Sequence, residues 1–174
     1  MFSHKDHSPN KVIHVTSAHI SPYPVIVPGD ITGDIVIQAP RYVNGKYKIQ
    51  LAIHKKALLW IKVPCLSGVG SCDYELCDLL SRNFIHDNVT TCPQQLVDQN
   101  LPCTCPFQPG TYTLKPTTFT VPKLDSLWSW LASGDYHVDA KLIEESTGEE
   151  VANYHVELSV HQPPCKGFLC SIFG

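Results

Sequence analysis

The hydrophobic positions of this chain recur mainly with a period of two, which is typical of strands that bury one face. Apolar and polar side chains alternate along residues 47–54, 136–142 and 154–160. The last two stretches flank the turn sequence Ser146-Thr147-Gly148, so they predict a β-hairpin. Shorter strands are predicted near residues 12–20, 24–28, 31–38, 57–63 and 111–121.

Proline and glycine separate the predicted strands at the intervals expected of an all-β protein, and the strand count is about eight. A helical pattern occurs in residues 73–81 and 93–99, and both segments lie in a cysteine-rich insert. A chain of 174 residues fits one domain. We therefore predict an antiparallel β-sandwich or β-cup over residues 12–161, between a flexible leader, 1–11, and a tail with a small cysteine loop, 162–174.

The composition is that of a globular protein with little charge, since 43% of the residues are hydrophobic and 17% are charged. The formal net charge is -3, and no long run of Lys or Arg provides the electrostatic footprint of a nucleic-acid binder. The longest uninterrupted apolar stretch, residues 57–61, is far shorter than the roughly 20 residues that a transmembrane helix needs. We therefore expect neither a nucleic-acid partner nor a membrane-spanning segment.

The chain contains eight cysteines, mostly within residues 65–105, in a loop-rich region that apolar packing alone would hold poorly. We expect disulfides to stabilise this region, and disulfides imply a secretory route. An acceptor sequence for N-glycosylation at Asn88 agrees with that route. A zinc site is the alternative interpretation, because Cys72, Cys77, Cys103 and Cys105 can supply thiolates, but no Cys-x-x-Cys pair occurs.

Seven short motifs extend over most of the chain in unbroken order. They read VIVPG at 25–29, LWIKVPC at 59–65, GSC at 70–72, LPCTCPF at 101–107, GTY at 110–112, SWL at 129–131 and GDY at 134–136. Together they resemble the family of ganglioside GM2 activators, from about residue 15 to residue 160. Several motifs in order are far more specific than any single one. The resemblance implies an antiparallel β-cup with a large apolar lipid cavity.

The resemblance also implies a disulfide pattern that spacing cannot choose, since eight cysteines permit 105 pairings. The implied pairs are Cys65–Cys72, Cys77–Cys105 and Cys92–Cys103. The family has a fourth bridge between its first and last strands, but this chain lacks both of those cysteines. Cys165 and Cys170 are then left to pair with each other, and we expect the terminal strands to be less rigid.

In the resembling family, the inward residues of the alternating strands form the wall of the lipid cavity. On periodicity alone, a solid sandwich explains these residues at least as well, because the same alternation fills a core. The predicted cavity residues are Ile49, Leu51, Ile53, Tyr136, Val138, Leu142, Tyr154, Val156 and Leu158.

All three tryptophans lie in two apolar segments beside polar turns. Indole rings favour membrane interfaces, and in the resembling family the loops that match Trp60 and Trp130 lie at the rim of the cup and are implicated in membrane contact. Burial of these rings in the core is the alternative. The predicted membrane-contact residues are Leu58, Leu59, Trp60, Leu127, Trp128, Trp130 and Leu131.

Nine histidines can move the formal charge from -3 toward +6 near pH 5, an upper limit because buried histidines can stay neutral. As a hypothesis, this change attracts the protein to anionic lipid in an acidic compartment. Scattered surface histidines without a role are the alternative. His4 and His7 in the leader are at best a weak metal site.

Hydrolase signatures are missing from the chain. The Gly-Ser pair at residues 70–71 lacks the closing glycine of a nucleophile elbow. The four glutamates between residues 144 and 150 surround the predicted hairpin turn, where solvated charge explains them better than catalysis does. We expect no catalytic residue, no cofactor and no metal site.

These inferences predict a non-enzymatic protein that binds a glycosphingolipid or a phospholipid. By its resemblance it makes peripheral contact with a membrane, extracts a sphingolipid and presents it to a lysosomal glycosidase of the β-hexosaminidase type. The alternatives are a lipid-sensing or immune-type module that retains its ligand for a receptor, and a weak esterase. We expect a lysosomal or secreted location. Residues 1–14 contain no apolar run of signal-peptide length, so we expect a signal removed before this numbering or a gene model that begins late.

Overall fold

Two β-sheets face each other in the computed structural model, which describes residues 2–4, 12–44, 46–86, 89–123 and 133–163. The long strands of the first sheet are β5 (Tyr47–Lys56), β11 (Gly134–Glu144) and β12 (Glu149–His161). Its short strands are β1 (Phe2–His4), β3 (Val25–Ile26), β6 (Trp60–Lys62) and β7 (Asp73–Glu75). The second sheet consists of β2 (His14–Ser21), β4 (Gly29–Ala39) and β10 (Gly110–Val121).

The strand order in the first sheet is β1-β12-β11-β5-β6, with β7 also beside β5 and β3 parallel to β12. The order in the second sheet is β10-β4-β2, and every neighbouring pair in it is antiparallel. The predicted all-β antiparallel class is therefore confirmed. The insert carries a small hairpin and two short helices: β8 (Ile85–His86), β9 (Val89–Thr90), α1 (Leu76–Phe84) and α2 (Gln94–Val97). Neither described helix is long and apolar enough to cross a membrane.

The predicted hairpin is formed by β11 and β12, whose connection ends at Gly148. Gly148 has a φ of 71°, a left-handed conformation that glycine adopts without steric cost. The register pairs Tyr136 with Leu158 and Val138 with Val156. Because β5 pairs with the other edge of β11, the alternating apolar residues of all three strands lie on the same face of the first sheet.

The first helix begins three residues later than the sequence pattern predicts. Residues 73–75 instead form β7, which pairs with β5. The Glu75 side chain holds this junction together, because its Oε2 accepts a 2.8 Å hydrogen bond from the Asp78 N–H and its Oε1 accepts one of 3.2 Å from the Tyr47 N–H. Glu75 is thus the N-cap of α1, and helical periodicity does not distinguish such a residue from the first turn.

Two buried clusters lie at opposite ends of the sandwich. The first core cluster lies beside the insert and contains Val12, Val43, Tyr47, Leu142, Val151 and Ala152. The second core cluster contains Val25, Val27, Tyr136 and Val160. Leu142 and Tyr136 are six residues apart on β11, which separates the two clusters by roughly 20 Å. The space between the sheets is therefore not filled by one continuous core.

Residues 2–4 of the predicted leader form β1, which pairs with β12, so this part of the leader differs from the loose segment that the sequence predicts. Several predicted residues lie outside the described residues: Asn88, Leu127, Trp128, Trp130, Leu131, Cys165 and Cys170.

Candidate functional site

A cavity of about 880 Å³ lies between the second sheet and strand β12 of the first sheet. Its volume is within the range of roughly 300–1,000 Å³ that is typical of small-molecule sites. We call it the wide cavity. It is lined by Ala18, His19, Ile20, Tyr23, Ile31, Gly33, Asp34, Ile35, Leu114, Phe119, Val121, Val156, Glu157 and Leu158.

The second sheet supplies most of the apolar wall of the wide cavity. Strand β4 contributes Ile31, Gly33 and Ile35 at every second position, as expected for one face of a strand. Strand β10 keeps its apolar residues on the same side only because the pairing with β4 shifts register between Leu114 and Thr117. A β-bulge of this kind reverses which positions face inward, so Leu114 and Phe119 both line the cavity.

A second cavity of about 240 Å³ lies beside the cysteine-rich insert. Ile35 and Leu114 line both cavities, so the two spaces share a wall. The insert covers this end with residues of its helices and of the following loop, including Leu76, Leu96 and Leu101. The apolar space between the sheets is therefore wide towards the second core cluster and narrow under the insert.

The predicted cavity residues lie on one face of the first sheet, the face that carries Val156 and Leu158, but few of them line the cavities. Val156 and Leu158 line the wide cavity. The others pack in or against the core clusters or are half-buried on the same face. Leu142 and Tyr136 are buried in the clusters, and Ile49, Ile53 and Tyr154 pack against them. In the register of β5 and β11, Leu51 is opposite Ala140 and Val138 is opposite Ile53.

The hydroxyl of Tyr154 makes two hydrogen bonds between the sheets. Its hydroxyl donates a 2.8 Å hydrogen bond to the Ile13 carbonyl oxygen and accepts one of 3.1 Å from the Val15 N–H. Since Val15 lies on β2, this side chain joins the two sheets. Tyr154 thus connects the two sheets, and it is not among the residues that line either cavity.

The sequence analysis missed the wall formed by β4 and β10. The alternation of Ile31, Gly33, Ile35 and Ile37 was the available signal, and residues 31–38 were predicted as a strand. Around Leu114 no equivalent signal exists, because Lys115 and Pro116 interrupt the alternation at the bulge.

Few polar groups reach the wide cavity. His19 and Asp34 form a pair at its edge, with 2.8 Å between Nδ1 and Oδ1, and Glu157 of β12 also borders the cavity. The described lining contains no Ser, Thr or Cys side chain that His19 could activate as a nucleophile. The wide cavity thus has an apolar lining with polar groups at its border, and this arrangement suits the binding of an amphiphile.

Burial controls the ionisation of Tyr136 in the second core cluster. Removal of this phenol from water raises its pKa to about 12. Burial also lowers the pKa of the neighbouring Lys55 amine, which lies 5.8 Å from the centre of the Tyr136 ring. Both shifts favour the neutral form of the group, as desolvation does.

The pKa of Tyr136 gives an expectation for alkaline pH. Because its folded pKa exceeds the ordinary value of about 10, its contribution to stability is complete below pH 10 and is lost as the pH rises through about 12. In urea unfolding at pH 9 to 12, stability should therefore fall less steeply for Tyr136→Phe than for the native chain. Tyr23→Phe, at an exposed position, should retain the native slope; equal slopes for all three proteins would contradict the expectation.

The loop between β5 and β6 carries exposed apolar side chains. Leu58 is fully exposed, Leu59 is 77% exposed and Ile61 is 58% exposed. Trp60 is less exposed because its ring stacks on His137 at a centroid distance of 3.6 Å. We call Leu58, Leu59 and Ile61 the apolar tip. Lysines flank it on both strands, and the Lys56 amine lies 6.0 Å from the centre of the Trp60 ring.

The apolar tip and the wide cavity lie at the same end of the first sheet. The register aligns Leu158, which lines the cavity, with Tyr136, Lys55 and Ile61 across β12, β11, β5 and β6. Three strand spacings separate the outer two residues, which corresponds to about 14 Å. Strand β10 ends at Val121 and β11 begins at Gly134, so the chain on both sides of residues 124–132 also lies at this end.

Comparison with known proteins assigns the fold to a family, since a family model of the ML domain matches residues 6–160. The chain belongs to the ML domain family. Two relatives of this ML-domain protein are ganglioside GM2 activators. The one from Mus musculus is 38% identical over 130 residues, which are 74% of this chain and 66% of that protein. The one from Macaca fascicularis is 37% identical over 130 residues, which are 74% of this chain and 67% of that protein.

The matches to these relatives confirm the resemblance that the sequence motifs indicated. The match thus spans about two thirds of the length of each relative. Among solved structures, a Niemann-Pick type C2 protein from the Japanese carpenter ant aligns with a TM-score of 0.44 and 13% identity. That alignment covers 92% of this chain and 99% of the ant protein.

Disulfides fasten the insert of this ML-domain protein to the sandwich. The structure contains the three bridges that the resemblance implied: Cys65–Cys72, Cys77–Cys105 and Cys92–Cys103. Cys77 lies in α1 and Cys105 precedes the bridge between Phe107 and Val43, so the second disulfide connects the helical part of the insert to the first core cluster. The thiolates of these six cysteines are therefore not available to zinc.

Loss of the Cys77–Cys105 bridge should destabilise the protein more than loss of Cys65–Cys72. The two bridges close loops of 28 and 7 residues, and chain entropy assigns them about 3.6 and 2.4 kcal/mol. We expect calorimetry to show that replacing Cys77 and Cys105 by Ser lowers Tm by roughly 7–14 °C. The same replacement at Cys65 and Cys72 is the control, and an equal or larger decrease there would contradict the entropic argument.

Proposed function

We propose that this ML-domain protein accommodates the hydrocarbon chains of a membrane lipid in the wide cavity, extracts that lipid and presents its headgroup to another protein. The observation that carries the proposal is the apolar space of about 880 Å³ between the two sheets. The names of the two relatives support a ganglioside or a related glycosphingolipid as the ligand. A phospholipid has similar chains and is the second ligand to test.

The energetics of extraction explain why such a cavity is needed. Transfer of a 16-methylene chain from a bilayer to water costs about 13 kcal/mol at ~0.8 kcal/mol per methylene. A carrier lowers this cost only if it offers an apolar surface of similar extent. The side chains of β4, β10 and β12 provide that surface, and the polar groups of His19 and Asp34 at the border can contact a headgroup.

The apolar tip is the proposed membrane-contact segment. Its two leucines are exposed to water, which is unfavourable for apolar side chains. Burial in a bilayer would stabilise the bound state by ~1.5–3 kcal/mol per leucine. The neighbouring cations of Lys55, Lys56 and Lys62 favour a surface that contains anionic lipid. Contact through this end would place the wide cavity next to the bilayer.

The finer proposal is that the bound glycolipid is presented to a glycosidase of the β-hexosaminidase type. The similarity to proteins named as ganglioside GM2 activators supports it. In this role the protein supplies no catalytic group and changes only the access of the enzyme to the sugar. The disulfide-bonded insert supports synthesis through the secretory route, and we propose a lysosomal or secreted location.

Transfer of labelled lipid between vesicles tests this function. Donor vesicles contain a fluorescent GM2-type ganglioside or a fluorescent phospholipid, and mass spectrometry identifies any lipid that copurifies with the protein. We expect transfer of the ganglioside and faster hydrolysis of its terminal sugar by added β-hexosaminidase. Tight retention without transfer would instead indicate a lipid-sensing module, and absence of any bound lipid would overturn the proposal.

A further inference from the structure

The outer face of the hairpin β11–β12, opposite to the cavity, carries a cluster of two histidines and one glutamate. His137 is directly opposite Glu157 in the register, and His155 precedes Glu157 by two residues on the same face of β12. One ligand atom from each of these three side chains lies within 4.8 Å of the other two. We call His137, His155 and Glu157 the histidine cluster.

The distances within the histidine cluster match the dimensions of a metal site. Glu157 Oε1 lies 3.7 Å from His137 Nε2 and 3.8 Å from His155 Nε2. Both separations exceed the length of an N–H···O hydrogen bond, which is about 2.7–3.2 Å. Ligands placed ~2.05 Å from a tetrahedral zinc ion are about 3.4 Å from one another. The two glutamate–histidine separations thus exceed this value by only 0.3–0.4 Å, and the two histidine nitrogens lie within 4.8 Å of each other.

Asp139 orients one of the two imidazole rings for this purpose. Its Oδ1 lies 2.7 Å from Nδ1 of His155, which can donate its proton to this carboxylate. The lone pair of the ring is then on Nε2, the atom that faces Glu157. A carboxylate behind a histidine ligand is the usual outer partner in zinc proteins, where it fixes the tautomer and the ring orientation.

Packing holds the other ring and leaves one side of the cluster open. His137 is stacked beneath Trp60, and its ring lies 5.3 Å from that of His155. His155 is only 14% exposed, whereas Glu157 is 52% exposed. The nearby Lys141 contacts Glu150 at 2.9 Å and does not occupy the space between the three ligands. Three protein ligands with an accessible fourth position are typical of an open zinc site.

We propose that His137, His155 and Glu157 form a binding site for Zn²⁺, with Asp139 as its positioning residue. Two imidazoles and one carboxylate favour zinc and similar transition-metal ions over Ca²⁺ and Mg²⁺, which take oxygen ligands. The sequence analysis expected no metal site, because it considered only the cysteines and the leader. The site depends on the pairing of two strands, and its two histidines do not line the wide cavity, which Glu157 only borders.

Titration calorimetry of the untagged full chain with ZnCl₂ at pH 7 tests the site directly. We expect one Zn²⁺ per chain with a micromolar Kd and a rise in Tm on zinc addition. His137→Gln and His155→Gln should each weaken binding at least tenfold, and Asp139→Asn should weaken it about tenfold. His161→Gln, an exposed histidine at the end of the same strand, is the matched control and should bind zinc like the native chain.

A second measurement keeps the test valid if a histidine variant folds poorly. Glu157→Gln changes an exposed side chain, and circular dichroism without metal shows whether each variant is folded. Visible absorption of Co²⁺ in place of Zn²⁺ should report a low coordination number in the native chain and should be lost in Glu157→Gln. Absence of binding at 100-fold excess over the protein, or native affinity in the folded ligand variants, would overturn the proposal.

Discussion

Replacement of Leu58 and Leu59 together by Asp is expected to reduce binding to lipid vesicles and lipid extraction by about 100-fold. Leu58 is fully exposed and Leu59 is 77% exposed, so Tm should change by less than about 2 °C, as for other exposed substitutions. Each leucine contributes ~1.5–3 kcal/mol when it enters an apolar phase, and ~1.4 kcal/mol corresponds to a factor of ten. Loss of both therefore accounts for at least two orders of magnitude.

Sedimentation with vesicles that contain anionic lipid measures the binding of this variant, and the labelled-lipid transfer assay measures extraction. Val97→Asp is the matched control, because Val97 is 48% exposed but lies in α2 of the insert. It should bind and extract lipid like the native chain. Native binding by the Leu58 and Leu59 variant, or an equal loss in the Val97 variant, would remove the apolar tip as the membrane-contact segment.

Local alternation was sufficient to predict the three long strands of the first sheet. In β5, β11 and β12 the inward and outward positions alternate over most of each strand, and the turn that ends at Gly148 follows directly from the sequence. The hairpin register then places Val138 opposite Val156 on the cavity face. The face of the sheet was predictable because burial of one side of a regular strand leaves a period of two.

The wall of the cavity was less predictable, because it depends on how two sheets pack. Alternation identifies an inward face but does not distinguish a residue that fills the core from one that borders empty space. Tyr136 and Leu142 fill core clusters, whereas Val156 on the same face lines the wide cavity. On β10 the bulge after Leu114 also reverses the alternation, so no single period describes that strand.

The histidine cluster could have been found from the sequence by one further step. His137 and Asp139 are outward positions of one predicted strand, and His155 and Glu157 are outward positions of the next. Their meeting follows from the hairpin register, in which Asp139 pairs with His155 and His137 with Glu157. A search along the chain for closely spaced ligands does not detect it, because about 20 residues separate the two pairs.

Gly33 offers a way to fill the wide cavity without disturbing the fold. It lines the cavity, and a Cβ built on it would lie 3.7 Å from its nearest neighbour, the His19 carbonyl oxygen, which is ordinary van der Waals contact. We expect Gly33→Trp to place an indole ring between the sheets. Stability should not fall, because the new ring buries apolar area and the unfolded chain loses the conformational freedom of glycine.

Lipid binding, by contrast, should fall at least tenfold in Gly33→Trp. If the indole displaces only two methylenes of a bound chain, the loss is about 1.6 kcal/mol, which exceeds a factor of ten. Quantification of copurifying lipid and titration with a fluorescent lipid measure this change. Thr113→Trp is the matched control, because Thr113 is exposed on β10 of the same sheet and does not line the cavity. Native lipid affinity in Gly33→Trp, with a loss in Thr113→Trp, would mean that the lipid occupies a different part of the molecule.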